Sequence, residues 1–483
     1  MRKLLSLFLT LCVAVSVFAY DAFIDGIYYN LNNYSDGSQR ASVTYRDWPH
    51  NSESSNATAY SGDVIIPANV TYNGKEYVVT SIDSYAFMHC SSLTSVVIPE
   101  GVTSIGYGAF SGCSSLKDIS IPTTISSIDN YAFDGTPFWN NRPDGVVYLG
   151  NILYKYKGTM PDNMPIVVKD GTIKINQYAF SGCKGLTSIS IPNSVTSIGY
   201  SAFSGCTGLT SIAIPNSVNI IGDYVFSGTS ITEITLPSGL KSINGNSLSG
   251  SSISAIKVSA SNPYFSAENG VLFSKDKKKL IRYPQGKSEV SYSIPSGVET
   301  IGSSAFSGCS SISSVTIPNT VDTIESDAFS NCSKLQSMVI PNSVVSCGGS
   351  VFYQCSNLTS VSLSSNMTEI PNNMFYGCGN LRSISIPDNV TKIGGSAFAG
   401  TSLIEITLPN GLKEVSDDFL NISTLNTINV ASSNSYFCSI DGVLFSKDKK
   451  KLIRYPQGKD LASYSVPNDV ISVESNAFSN CHR

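Results

Sequence analysis

A repeat solenoid of short β-strands is the fold class this sequence predicts, and three observations predict it. Phe recurs at positions 87, 110 and 133, at 180, 203 and 226, at 306, 329, 352, 375 and 398, and at 478, spaced by 23 residues within each group. Cys stands three residues after Phe at 90, 113, 183, 206, 309, 332, 355, 378 and 481. The segments 270–287 and 442–459 are identical letter for letter, 172 residues apart, so a longer repeat is written over the short one. Self-similarity at a period of this size is the signature of stacked supersecondary units.

Each column of the unit has a physical reason, and residues 186–208 serve as the example. Leu186, Ile189 and Ile191 place apolar, mostly β-branched side chains on one face of a short strand. Pro192 ends that strand, because proline has no N–H to give to a ladder. Val195 and Ile198 make a second inward patch, Gly199 is read as a corner, and Ala202 and Phe203 turn inward again on a tight segment. Gly205 closes the coil, with His89, Asn331 and Gln354 in its place elsewhere. A single coil cannot bury its apolar face alone. Stacked copies can, at about 1.5–3 kcal/mol for each large apolar side chain before entropy is subtracted.

The pattern Leu-x-x-Ile-x-Ile-Pro-x-x-Val-x-x-Ile-x-x-x-Ala-Phe-x-x-Cys resembles the BspA-like, Treponema-type bacterial leucine-rich repeats, from about residue 60 to the end. The resemblance implies a right-handed, leucine-rich-repeat-type, β-rich coil on an exported surface protein, with attachment to host proteins or other microbes as its role.

The organisation follows from the repeats. Residues 1–19 read as a signal peptide: Arg2 and Lys3, an apolar run from Leu4 to Val17, then small residues up to Ala19. That run is too short to span a bilayer. Residues 20–80 read as an N-terminal β cap, with strands expected around Ile27–Tyr29, Ala41–Tyr45, Asp63–Ile66 and Tyr77–Thr80. Repeats follow over 81–255, with an irregular segment near 137–172, and again over 291–427. Hairpin insertions with lysine-rich turns are expected at 256–290 and 428–462, and a partial last repeat at 463–483. Thr136, Thr229 and Thr401 replace the column Cys where the period breaks.

The chemistry that composition excludes is as informative. A formal net charge of -4 with only 14% charged residues lacks the basic field that nucleic acid demands. Three histidines, His50, His89 and His482, sit in unrelated columns, and there is no G-x-S-x-G, P-loop or H-E-x-x-H motif. No catalytic residue, metal or cofactor is expected. With Cys12 removed, eleven cysteines remain. The in-register nine read as a buried ladder of free thiols, with no evident partner for a hydroxyl put in place of the Cys206 thiol. Cys347 and Cys438 lie off the column without a legible role. The lysine turns at 275–279 and 447–451 read as solvated hairpin tips, an anionic partner being the alternative.

One column differs between the halves. The residue before Ala-Phe or Val-Phe is Tyr85, Tyr131, Tyr178 and Tyr224 early in the chain, with Tyr107 and Tyr200 one position earlier in the intervening coils. From residue 300 onward the matching sites hold Ser304, Asp327, Ser350, Ser396 and Asn476. Exposed aromatic rows suit recognition, so Tyr85, Tyr131, Tyr178 and Tyr224 are the candidate ligand-binding residues. The expected function is a secreted or cell-surface adhesion module for host proteins, glycans or other cells. The alternative is a self-associating envelope or matrix spacer. N-terminal sequencing of exported protein is expected to begin at Tyr20, and intact Met1 on cytoplasmic material would refute the signal peptide.

Overall fold

The computed structural model describes residues 20–46, 59–416, 418–459, 461 and 463–481, so the expected signal peptide lies outside the described residues. The chain divides into two compact units, 1–157 and 158–483. Both are β-solenoid with almost no helix, and the whole winds about 17 turns.

A regular turn has three sides. The first is a strand such as Leu186–Ser190, in which Leu186 and Ile189 are buried while Ser188 and Ser190 face water. The second is a two-residue strand, Ser197–Ile198, which pairs in parallel with Lys174–Ile175 before it and Ile220–Ile221 after it. Ile175, Ile198 and Ile221 therefore lie in one buried row. The equivalent row farther on is Ile301, Ile324 and Cys347, so Cys347 is a small apolar stand-in for isoleucine.

The third side is the turn around Phe, and its amides alternate in direction. Around Phe87 the N–H groups of Ala86, Met88 and Cys90 donate within the coil to Asp83, Tyr85 and Phe87. Those of Tyr85, Phe87 and His89 donate to the next coil, to Tyr107, Ala109 and Ser111. The pattern needs left-handed backbone at both ends of the turn, with φ of 63° at Tyr85 and 60° at His89. Gly112, Gly205 and Gly308 take the second position in other coils at no steric cost. The Phe rings stack as a result: Phe87 and Phe110 lie 4.9 Å apart and 8° from parallel, Phe352 and Phe375 5.6 Å apart and 11° from parallel. At the start of the spine Tyr60 lies 4.4 Å from the Phe87 ring and hydrogen-bonds Thr44.

Gly199 has a different reason from the expected corner. Its φ is not left-handed, but a Cβ there would sit 2.5 Å from the Gln177 amide nitrogen. Close approach of neighbouring coils, rather than backbone freedom, demands glycine at this position.

Irregular elements sit where the period breaks. After Thr136 comes a single helical turn, Pro137–Asn140, whose N-cap is Thr136 itself. The lysine-rich insertions are three-stranded antiparallel meanders, Phe265–Glu268, Val271–Ser274 and Lys279–Arg282 in the first copy. The expected hairpin forms their last two strands. The last strand then joins the parallel sheet, Leu280 opposite Ile301, and Tyr283 stacks on Phe306 at 5.2 Å. Two side chains absent from the sequence reading fix each meander. The fully buried Asn262 donates to the Pro237 and Leu240 carbonyls and accepts from the Tyr264 and Phe265 amides. Asn434 repeats this on Pro409, Leu412, Tyr436 and Phe437. Arg282, also fully buried, donates to the Ser304 and Ser307 carbonyls, and at Ser307 it takes over from the backbone amide a regular preceding coil would supply.

None of the eleven cysteines among the described residues is in a disulfide. The column thiols donate to the Phe carbonyl of the preceding coil, Cys206 to Phe180 at 3.1 Å and Cys355 to Phe329 at 3.0 Å. The expectation that a hydroxyl at Cys206 would find no partner is therefore corrected, because the Phe180 carbonyl is in place. Where Thr replaces Cys, its hydroxyl turns to the Phe carbonyl of its own coil, as Thr229 does to Phe226 at 2.8 Å. Burial pushes the thiols of Cys206 and Cys355 up to about 12. A thiol ionises near 8.5 when free, so the unfolded chain loses protons first as pH rises and stability falls above that value until the folded thiols ionise too. Thermal unfolding should accordingly be flat between about pH 6 and pH 8 and decline progressively toward pH 11, with native thiols unreactive toward a labelling reagent at pH 8 and reactive once the chain is denatured. Rapid native labelling of Cys206 and Cys355 would overturn the assignment.

Candidate functional site

The tyrosine column becomes two separate rows, one in each unit. In the first, the ring centroids of Tyr85 and Tyr107 lie 5.5 Å apart and those of Tyr107 and Tyr131 5.4 Å apart, inclined at 71° and 69°. In the second, Tyr178, Tyr200 and Tyr224 follow one another at 5.3 and 5.8 Å, inclined at 60° and 73°. Tyr107, Tyr131, Tyr200 and Tyr224 are 40%, 45%, 40% and 36% exposed and line the outside of the Phe turn, while Tyr85 and Tyr178, at the start of each row, are half-buried. The sequence reading picked Tyr85, Tyr131, Tyr178 and Tyr224 and left out the rings between them. Tyr107 and Tyr200 read as a different column because they stand one residue earlier.

The offset has a structural cause. Tyr85, Tyr131, Tyr178 and Tyr224 occupy the left-handed turn position, with φ of 56° to 63°. In the intervening coils Gly108 and Ser201 hold that position, and the tyrosine precedes it. Gly108 also makes room for its neighbour, since a Cβ there would lie 3.2 Å from the Tyr85 ring. Left-handed backbone disfavours bulky residues by about 1–2 kcal/mol. An aromatic pair contributes about 0.5–1.5 kcal/mol beyond its area. The two effects nearly cancel, so folding gains little from these tyrosines. In later coils Ser304, Asp327 and Ser350 hold the same conformation, with φ of 55°, 59° and 57°.

Carboxylates flank both rows. The Tyr107 phenol is raised above its ordinary value by desolvation first, then by Tyr85, Tyr131 and Asp134. Tyr224 is raised by burial first, then by Tyr200, Asp223 and Asp327.

A second candidate is a cleft of about 310 Å³ where the first meander meets the preceding coil, lined by Lys241, Asn244, Phe265, Lys279, Ser303 and Glu325. Two of its charged groups already have work within the fold: Lys279 pairs with Glu325 at 2.6 Å, and the Ser303 amide donates to the same carboxylate at 2.8 Å. The lysine turn is similarly engaged, Lys277 with Glu268 and Lys278 with Glu299. Among the described residues no three His, Cys, Asp or Glu side chains are grouped so as to hold a metal. Among them also no helix is long and apolar enough to cross a membrane.

The family model described as a BspA type leucine-rich repeat region, in six copies, matches residues 80–156, 154–269 and 285–401, more than half of the chain. This chain belongs to the BspA-type leucine-rich repeat family. Among solved structures it is similar to a leucine-rich cell surface protein of Faecalibacterium prausnitzii, with 26% identity over 86% of this chain and 97% of that one and a TM-score of 0.39. It is also similar to the pneumococcal vaccine antigen PcpA, at 19% identity over 95% and 94% of the two chains, TM-score 0.39. A leucine-rich repeat protein of Bacteroides ovatus shares 25% identity over 86% and 89%, TM-score 0.30. No curated protein sequence matches the chain.

In these BspA-type coils the Phe, Ile and Cys columns are committed to packing, and the left-handed turn position is among the places free to vary. Tyr131→Asn should therefore leave stability within about 1 kcal/mol of the parent, because asparagine tolerates left-handed backbone and offsets the lost ring contact. Denaturant unfolding measures this, and a loss above about 2 kcal/mol would place the ring in the core.

Proposed function

We propose that this chain is a secreted or cell-surface binding module that attaches to an extracellular protein or glycan, with Tyr85, Tyr131, Tyr178 and Tyr224 among its contact residues. The observation that carries the reading is the pair of solvent-facing tyrosine rows, held at a backbone cost on a turn where other coils use Ser, Asp or Asn. Rigid aromatic side chains give large contact areas at low entropic cost, which suits recognition better than any role in the solenoid core. Membership of the BspA-type family and the sequence of residues 1–19 support export and surface display. The chemistry required is binding alone, and no enzymatic step is assigned.

A self-associating spacer is the second reading. It is favoured by exposed apolar residues on strands within the coils, Ile65, Val167 and Val339, 71%, 79% and 65% exposed.

An array of extracellular-matrix proteins and glycans probed with residues 20–483 tests the first reading, with light scattering of the same material to test the second. Saturable binding is expected, and the combined Tyr131→Ser, Tyr178→Ser and Tyr224→Ser variant should fold normally and lose about tenfold or more in affinity. Undiminished binding by the folded triple variant would remove the rows from the interface. Concentration-dependent growth in mass with no array signal would favour the spacer.

A further inference from the structure

The geometry points to a left-handed polyproline II segment of basic character as the ligand of the tyrosine rows, an assignment that rests on the binding function proposed above. Three features of the rows carry it.

The first is the angle between rings. Within each row successive tyrosines are inclined by 60° to 73°. Rings inclined in this way leave a wedge between the face of one and the edge of the next. The buried Phe stack, at 8° to 15°, leaves none, and neither does the half-buried pair Tyr353 and Tyr376 at 12°. A pyrrolidine ring is compact and apolar and fits a wedge between aromatic walls, which is how proline-rich segments are generally held. A sugar stacks best on a broad open ring face, and here each inner face is partly covered by its neighbour's edge.

The second is the period. The same ring orientation returns every two coils, from Tyr85 to Tyr131 and from Tyr178 to Tyr224. At a coil spacing of ~4.8 Å that is about 10 Å. A polyproline II helix turns once in three residues of ~3.1 Å, or about 9 Å. Over a row of three rings the mismatch is too small to lose register, so proline at every third position meets an equivalent notch. The phenol hydroxyls supply donors, and the polyproline II backbone, which has no internal hydrogen bonds, supplies carbonyl acceptors.

The third is charge. Asp134, whose amide donates to the Tyr131 carbonyl, stands on the first row, and Asp223, directly before Tyr224 and accepting from the Ser201 amide, stands on the second, where Asp327 adds to it and the buried Arg282 opposes it. The lysines of the first meander turn are paired with Glu268, Glu299 and Glu325. A ligand carrying arginine or lysine beside its prolines is therefore favoured, through an interaction that weakens with salt.

The test uses the chain from residue 20 to 483 and four probes: decaproline flanked by arginine, uncapped neutral decaproline, a Gly/Ser peptide with the same arginines, and a β-linked glucose hexamer. Binding is read by calorimetry or fluorescence anisotropy. The basic decaproline should bind saturably, more weakly at high salt, and ahead of both the neutral decaproline and the Gly/Ser peptide. The substitutions Tyr107→Ala and Tyr200→Ala remove the middle wall of each row at positions outside the left-handed turn. Together they should reduce affinity about tenfold or more with circular dichroism and thiol protection unchanged. Tyr107→Phe with Tyr200→Phe keeps the walls and should cost only a few-fold, through the lost hydroxyls. Equal binding of the Gly/Ser peptide, or full binding of the basic decaproline by the alanine variant, overturns the assignment. If the glucose hexamer or a matrix protein binds in a tyrosine-dependent way and decaproline does not, the polyproline assignment falls while the rows remain a binding surface. If no probe or array component depends on the tyrosines, both fall.

Discussion

Half of the amides in the turn around each Phe point along the solenoid instead of around it. This division decides how the coils meet. The two-residue strands supply too few hydrogen bonds to hold neighbouring turns in register, and the Phe turn adds three more, as from Tyr85, Phe87 and His89 to Tyr107, Ala109 and Ser111. With that spacing set, the Phe rings fall into a near-parallel stack, the column thiols reach the preceding Phe carbonyl, and a residue such as Gly199 comes too near the next backbone to carry a side chain. Buried polar groups are satisfied by the same repetition that buries the apolar ones.

Breaks in the repeat have to replace those bonds, and side chains do so. Arg282 is buried without a carboxylate partner, which is costly for a charge. Its guanidinium donates to the Ser307 carbonyl, which the amide of a preceding regular turn would otherwise satisfy, and adds a second bond to the Ser304 carbonyl, which already accepts from the Ser307 amide. Asn262 makes all four of its hydrogen bonds to backbone. The last two meander strands recur letter for letter within 442–459, and Arg454 there reaches the Asn476 and Ser479 carbonyls as Arg282 reaches Ser304 and Ser307, so the side-chain repair is part of the longer repeat.

The candidate site follows from which positions that architecture leaves free. Columns that face the interior are fixed by volume and by hydrogen bonding. The left-handed turn position is half-buried or exposed in most coils, though buried at Ser201 and Ser304, and asks chiefly for a residue that tolerates positive φ, a demand that Ser, Asp and Asn meet at least cost. Tyrosine meets it at a cost that its edge-to-face neighbours roughly offset. Such a position can change its chemistry without changing the fold, which is why a recognition surface can differ between the two halves of a chain whose Phe and Cys columns are the same.

The amino-acid sequence by itself determined the repeat, its inward columns and the solenoid class, because every coil presents the same environment and the same residue types recur in it. It also marked the Tyr85, Tyr131, Tyr178 and Tyr224 column, which departs from a regular background. Whatever depended on the relation between coils was decided only in three dimensions. Tyr107 and Tyr200 join the rows because a ring one residue earlier reaches the same side of the turn once Gly108 and Ser201 take the left-handed conformation. Cys347, by contrast, stands 23 residues after Ile324, so the period already placed it in the isoleucine row where strand pairing sets it. Lys279 finds Glu325 across 46 residues of chain, a pairing with no local signal. Periodicity records what each residue faces within its own coil; hydrogen bonds, ring angles and charge pairs between coils depend on stacking distances that exist only after the chain has wound.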